Sequence, residues 1–178
     1  MVQRLYPPII GWRAVLLIGA VIVVGLMAGI VFGTGLAQYS ARVLPASAWV
    51  ARHQAEDALF GAVMPIVWPL TVAVLAAAAA AARGARAPFA VAAVLFAAAL
   101  AVTVTREVPL NRVVQSWAAA APPPEWTAVR DRWLVGHLAR TLLTAGGFAL
   151  AAVGLARAFA RGGTDVRAPE AAVARRSP

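Results

Sequence analysis

Cysteine is absent from this 178-residue chain. No disulfide, thiolate metal ligand, iron–sulfur cluster or thiol–disulfide exchange can therefore arise within it. That excludes the quinone-linked disulfide-forming enzymes, which are also small four-helix membrane bundles. Lysine is absent too: all sixteen basic residues are arginine, set against seven acids, for a net charge of +9. The arginines do not form a patch interleaved with exposed aromatics, so no nucleic-acid partner is expected. Most of them flank apolar runs, where they set topology and meet anionic lipid headgroups, and the preference for Arg over Lys reads as coding bias. Charged residues make up only 13% of the chain, about half the usual share of a soluble domain.

Apolar runs replace the missing charge. The chain is 62% hydrophobic, its mean hydropathy is +0.77, and four runs stand out at 15–32, 62–82, 88–104 and 134–156. Each is close to the ~20 residues that carry a helix across a hydrocarbon core. The expectation is an all-α, four-helix transmembrane bundle in one domain, residues 1–160, followed by a disordered basic cytoplasmic tail, 161–178. Arg4 and Arg13 precede the first run, but that run exceeds the ~7–15 residues of a cleaved h-region and no small-x-small site follows promptly. It reads as a retained span. With both termini cytoplasmic in a bacterial-type plasma membrane, nine arginines lie inside and seven outside. The tight Arg83-Gly84-Ala85-Arg86 turn is the stronger topological hint, because short loops count most.

Between the spans lie the polar segments. Gly33-Thr34-Gly35 reads as the exit of span one, and the stretch from Ser40 to Ala58 is too polar to cross. Its second half reads as a helix running on into span two, with Trp49, His53, Asp57, Phe60 and Met64 on one face and Glu56 at its edge. Pro65 and Pro69 fall within that span, where neighbouring helices absorb the kinks expected of them. The alanine run at the end of span two, and the Ala-rich span three, suit close helix packing and offer a face for self-association. Span three is followed by an outer amphipathic segment in which Pro109 is expected to break or redirect the chain. Pro122-Pro123-Pro124 then leads stiffly into a long fourth helix.

That helix carries the strongest signal. At about 100° per residue, Trp126, Arg130, Trp133, His137, Arg140, Thr141 and Thr144 share a face, while Asp131, Val135, Leu138 and Ala139 point elsewhere. Ionisable groups in a spanning helix are costly and normally face a bundle interior or a wet cavity. A lone bundle histidine such as His137 is as readily a hydrogen-bonded packing residue as a base. His53, with Asp57 at i+4 to orient its ring, is equally explained by a solvated interfacial helix. Arg130 and Arg140 have the reach to bind an anionic or enolate oxygen; Arg132 and Asp131 read as a surface collar. Tryptophans commonly form interfacial belts, and Trp133, beside His137, is the one expected to wall a pocket. No metal is expected: neither histidine has a Glu three residues before it as di-iron bundles require, and zinc would need three or four ligands. Haem between His53 and His137 has no support in the spacing.

The runs VPLNRVVQSW, PPPEW and VRDRWLVGHLARTLLTAGGFAL resemble the signature of the anthrone oxygenase-like membrane family, most of whose members carry only a label of unknown function. Pro109-Leu110-Asn111 and the spacing of Arg130, Trp133, His137 and Arg140 carry the resemblance, which extends over most of residues 15 to 160. The resemblance implies oxidation of anthrones to anthraquinones by O2 with no cofactor. A base would remove the acidic proton between aromatic rings, and the carbanion would pass an electron to oxygen. On that reading His137 serves as base, Arg140 or Asn111 as enolate donor, and Trp133 and Trp117 as walls. Arg130, His53 and Asp57 complete the substrate contacts. The expected partners are the lipid bilayer and a lipophilic aromatic molecule, with the site near the outer face. Two other readings stay open: a non-catalytic bundle whose stripe is structural glue, and a haem- or quinone-binding redox carrier.

Overall fold

The four apolar runs form four long helices in the computed structural model, which describes the backbone of residues 11–174 and the side chains of residues 11–160. Among the described residues there is no strand. α1 (Trp12–Ser40) ends in a single 3-10 turn, Ala41–Val43, and α2 spans Ala46–Ala81. α3 (Arg86–Val102) passes through a π-helical turn, Thr103–Glu107, into α4 (Val108–Gln115). α5 runs Trp126–Ala174. Its helix continues past residue 161, into the stretch expected from the sequence to be a disordered tail. The expectation for Arg4 lies outside the described residues, as do the side chains beyond residue 160.

Among the described residues, four helical stretches are long and apolar enough to cross a membrane, and the chain is a transmembrane four-helix bundle. Large apolar side chains such as Ile22, Leu26, Val94 and Leu142 stay exposed on its flanks. In water that surface would drive aggregation; in a bilayer it faces lipid.

Two expectations about the helix ends need correction. α1 does not stop at Gly33-Thr34-Gly35 but continues to Ser40. Helical glycines cost only about 1 kcal/mol each, and Gly35 provides the space for an α5 side chain described below. Nor does Pro109 break the chain. Proline has no N–H for the carbonyl four residues back, here Thr105, and its ring collides with it. That carbonyl lies in the π turn, whose wider ladder accommodates the proline, so helix continues from Arg86 to Gln115. π turns of this kind are frequent at functional sites.

α3 and α5 pack closely because α5 is notched by glycine opposite fully buried phenylalanines. A Cβ at Gly147 would lie 2.7 Å from Phe96 Cδ2, and one at Gly154 would lie 2.8 Å from Phe89 Cε2. Ala78, Ala82, Ala85, Ala92 and Ala99 are buried in the same core, as small residues at membrane helix interfaces should be. The α2–α3 turn needs a left-handed residue, and Gly84 supplies it at φ 72°. α2 remains one helix through Pro65 and Pro69. At the α4 end of the bundle a second cluster, Trp49, Val50, Val114 and Val129, caps the structure.

Candidate functional site

The helical register of α5 turns its polar stripe inward. Trp133, His137 and Thr144 are buried, whereas Asp131, Val135, Leu138 and Ala139 are exposed. The stripe meets the polar face of α2, the π turn and α4 around a cavity of about 410 Å³. That volume falls within the ~300–1,000 Å³ usual for small-molecule sites. His53, Asp57, Asn111, Trp133, His137 and Arg140 all line it, together with Glu107 and Gln38. Farther along α2 the walls become apolar, at Phe60, Met64, Pro65 and Trp68. The cavity is thus polar at the α4 end and greasy toward the middle of the bundle.

Asn111 is the hub of the polar end. The Trp133 indole N–H donates to its Oδ1 at 2.8 Å, and its amide nitrogen donates to Asp57 Oδ1. An indole nitrogen can only donate, so the amide orientation is determined. His53 Nε2, 3.2 Å from the same Oδ1, must then be a donor as well. Its Nδ1 is left as acceptor, facing the Gln38 amide nitrogen at 3.4 Å. Asp57 therefore does not orient His53 directly, as the i+4 spacing suggested. It holds Asn111, which holds the ring, and its other oxygen accepts from Gln115 at 3.0 Å. Glu56 is also fully engaged: Gln38 donates to one oxygen and Arg52 to the other, each at 2.7 Å.

His137 lies across the cavity. Its Nε2 is 2.8 Å from the Val31 carbonyl oxygen, which can only accept, so Nε2 carries the proton. Gly35 makes the approach feasible, since a Cβ there would sit 2.9 Å from Nε2. We expect Gly35→Ala to break this tie between α1 and α5 and to cost about 1–3 kcal/mol, as small-to-large changes in packed sites do; thermal melting in detergent reads it. The Nδ1 lone pair accepts from Arg140, at 2.6 Å from Nη2 and 3.1 Å from Nε. With one nitrogen protonated and the other capped, His137 is poorly placed to act as a base. It anchors Arg140, whose Nη1 also reaches Thr103 Oγ1 at 3.4 Å and whose Nη2 lies 3.9 Å from Glu107 Oε2.

Aromatic rings stack through the site. Trp49 stacks on His53 with centroids 4.9 Å apart, His53 meets Trp133 edge-on at 5.1 Å, and Trp133 stacks on His137 at 4.7 Å. Trp133 thus separates the two imidazoles, and each Nε2 is already committed as a donor. The arrangement does not fit a haem held by both histidines. Among the described residues no group of three or more His, Cys, Asp or Glu gathers as metal ligands would.

Two sequence candidates lie elsewhere. Arg130 pairs with Asp131 at 3.0 Å and stacks over Trp126. Trp117 packs against the capping cluster, and its carbonyl accepts from Gln54 at 3.0 Å. Gln38 and Glu107 were not anticipated. Glu107 is legible in hindsight, because it precedes Asn111 by four residues and follows Thr103 by four. Reading Pro109 as a break hid that register.

A family model described as Anthrone oxygenase matches residues 54–150. The chain belongs to the anthrone oxygenase family. No curated protein and no solved structure matches it. The family match is narrower than the 15–160 suggested by the motifs. It covers Asp57, Glu107, Asn111, Trp133, His137 and Arg140 and leaves the α1 contributions, Val31, Gly35 and Gln38, outside. In this member of the anthrone oxygenase family, α1 therefore completes a site whose other walls all lie within or beside the matched region.

Proposed function

We propose that the chain is an oxygenase acting on a lipophilic aromatic carbon acid of the anthrone type, with O2 as oxidant and the substrate's own carbanion as reductant. The observation that carries this reading is Arg140: a guanidinium fixed by His137 and Thr103 at the polar end of an otherwise apolar cavity. A fused aromatic ring fits the greasy length beside Met64 and Trp68, with its carbonyl toward the cation. A preorganised cation in a water-poor site stabilises an enolate far more than water does. Trp133 and His53 supply aromatic wall, and Asn111 keeps both rings in place. We place the polar end near the outer membrane face, with the Arg83–Arg86 turn inside, as short basic loops favour.

His137 gives limited support to the reading in which the stripe is structural, because its bond to Val31 ties two helices together. Trp133 and Arg140 add ties of their own, to Asn111 on α4 and to Thr103 in the π turn, but a guanidinium lining an otherwise apolar cavity is more charge than such ties require. The test is oxygen uptake by purified protein supplied with anthrone in detergent. We expect consumption of one O2 per anthrone, with anthraquinone as product, well above the detergent background. Uptake no faster than background across a panel of anthrones would sink the oxygenase reading.

A further inference from the structure

The reaction proposed above needs a base, and the carboxylates and imidazoles around the cavity can be checked lone pair by lone pair. His137 gives its proton to Val31 and accepts from Arg140. His53 donates to Asn111, and its Nδ1 faces an amide donor. Asp57 accepts on both oxygens, from Asn111 and Gln115. Glu56 accepts on both, from Arg52 and Gln38. Glu107 differs. It is 1% exposed and lines the cavity, and neither carboxylate oxygen has a hydrogen-bond partner. Buried carboxylates are ordinarily satisfied, and among the acids lining the cavity Glu107 departs from that rule on both oxygens.

The surrounding helices are shaped to hold it there. The π turn delivers Glu107 at the last position before α4. On the facing helix, Gly136 leaves a notch, and a Cβ at that position would overlap Glu107 Oε1. Arg140 Nη2 lies 3.9 Å from Oε2, beyond hydrogen-bond reach but close enough to neutralise the charge.

Resting on the oxygenase reading, we propose that Glu107 is the base that removes the acidic carbon-bound proton of the substrate. The C–H bond breaks, its proton passes to a Glu107 oxygen, and its electron pair delocalises into the ring as an enolate. The negative charge leaves the carboxylate and appears on the substrate, and the guanidinium that faced the first balances the second. One electron passes from the carbanion to O2, the radical pair joins in a carbon–oxygen bond, and the peroxide takes the proton back from Glu107. The carboxylate then removes the second hydrogen of that carbon. The O–O bond breaks, the carbonyl forms, and the departing hydroxide accepts the proton as water. One CH2 and one O2 become one C=O and one H2O, and Glu107 ends as it began.

The deciding experiment separates proton removal from oxygen chemistry. Under argon in deuterated buffer, anthrone is incubated with wild type, Glu107→Gln and Glu107→Asp, and deuterium uptake at the acidic carbon is followed by NMR. Anthrone binding is read in parallel from quenching of tryptophan fluorescence. General-base catalysis is typically worth ~10²–10⁴-fold, so we expect Glu107→Gln to lose at least about 100-fold of the accelerated exchange while binding anthrone within a few-fold of wild type. Glu107→Asp should retain part of the exchange. Exchange by Glu107→Gln at the wild-type rate overturns the assignment while leaving the oxygenase reading intact, provided that wild type still consumes O2. Loss of binding in both variants also overturns it, since the carboxylate would then be shaping the cavity. If wild type accelerates neither exchange nor O2 uptake, this proposal and the oxygenase reading fall together.

Discussion

Replacing Asn111 with leucine should destabilise the bundle by about 2 kcal/mol or more, because two buried donors lose their acceptor at once and a buried unsatisfied polar group costs ~1–3 kcal/mol. The Trp133 indole N–H and the His53 Nε2–H would both lose their acceptor, and Asp57 Oδ1 would lose its donor. Leucine roughly preserves volume, so lost packing is a minor part of the change. Asn111→Asp separates the roles further: it keeps an acceptor for Trp133 and His53 but sets a second carboxylate against Asp57. Exchanging the pair, as Asp57→Asn with Asn111→Asp, restores an amide donor facing a carboxylate. The expected order of thermal stability in detergent is Asn111→Leu lowest, Asn111→Asp next, and the exchanged pair nearest wild type. An Asn111→Leu variant that melts with wild type would show that the hub does not hold the polar end together.

Arg140→Met should be the most damaging change on α5, and its effect should depend on Glu107. Removing one partner of a buried pair typically costs ~3–5 kcal/mol, because the other charge remains without compensation. Here the carboxylate of Glu107 has no hydrogen bonds to soften that loss. His137 Nδ1 would lose its donor as well. Adding Glu107→Gln removes the stranded charge, so the double variant should be more stable than Arg140→Met alone. A coupling of ~0.5–3 kcal/mol is usual between residues in contact. Additive effects in the four-protein cycle would mean that Arg106 or some other group, rather than Arg140, compensates Glu107. The oxygenase proposal predicts that oxygen uptake is lost in Arg140→Met and in the double variant alike, since both lack the cation it places opposite the enolate.

These two experiments address features of very different visibility in the sequence. The inward stripe of α5 was plain, because a polar face in an apolar helix follows from residue spacing alone and a bilayer penalises any other orientation. The α2 face carrying Trp49, His53 and Asp57 was legible for the same reason. Glu107 was not, because a proline two residues later suggests a helix end, and only the π turn keeps Glu107 and Asn111 in one helical register. Gln38 was missed because α1 was expected to end before it. The helix continues to Ser40, and Gly35, read as an exit signal, is a packing notch for His137.

The sequence by itself determined four spans, a transmembrane bundle, the inward faces of α2 and α5, and the family. All of these are one-dimensional properties: hydropathy over ~20 residues, a period of 3.6 and a matching stretch of chain. Only the tertiary structure decided which groups meet. The Val31 carbonyl that engages His137 lies 106 residues away in sequence, and the Asn111 oxygen that orients His53 lies 58 away. Hydrogen-bond roles depend on which partner is within about 3 Å, and no spacing along one helix reveals that. The same imidazole can be a base or a prop, and at His137 both ring nitrogens are engaged, by Val31 and by Arg140. Among the described carboxylates lining the cavity, Glu107 is the one with neither oxygen hydrogen-bonded, and no spacing along the chain reveals that.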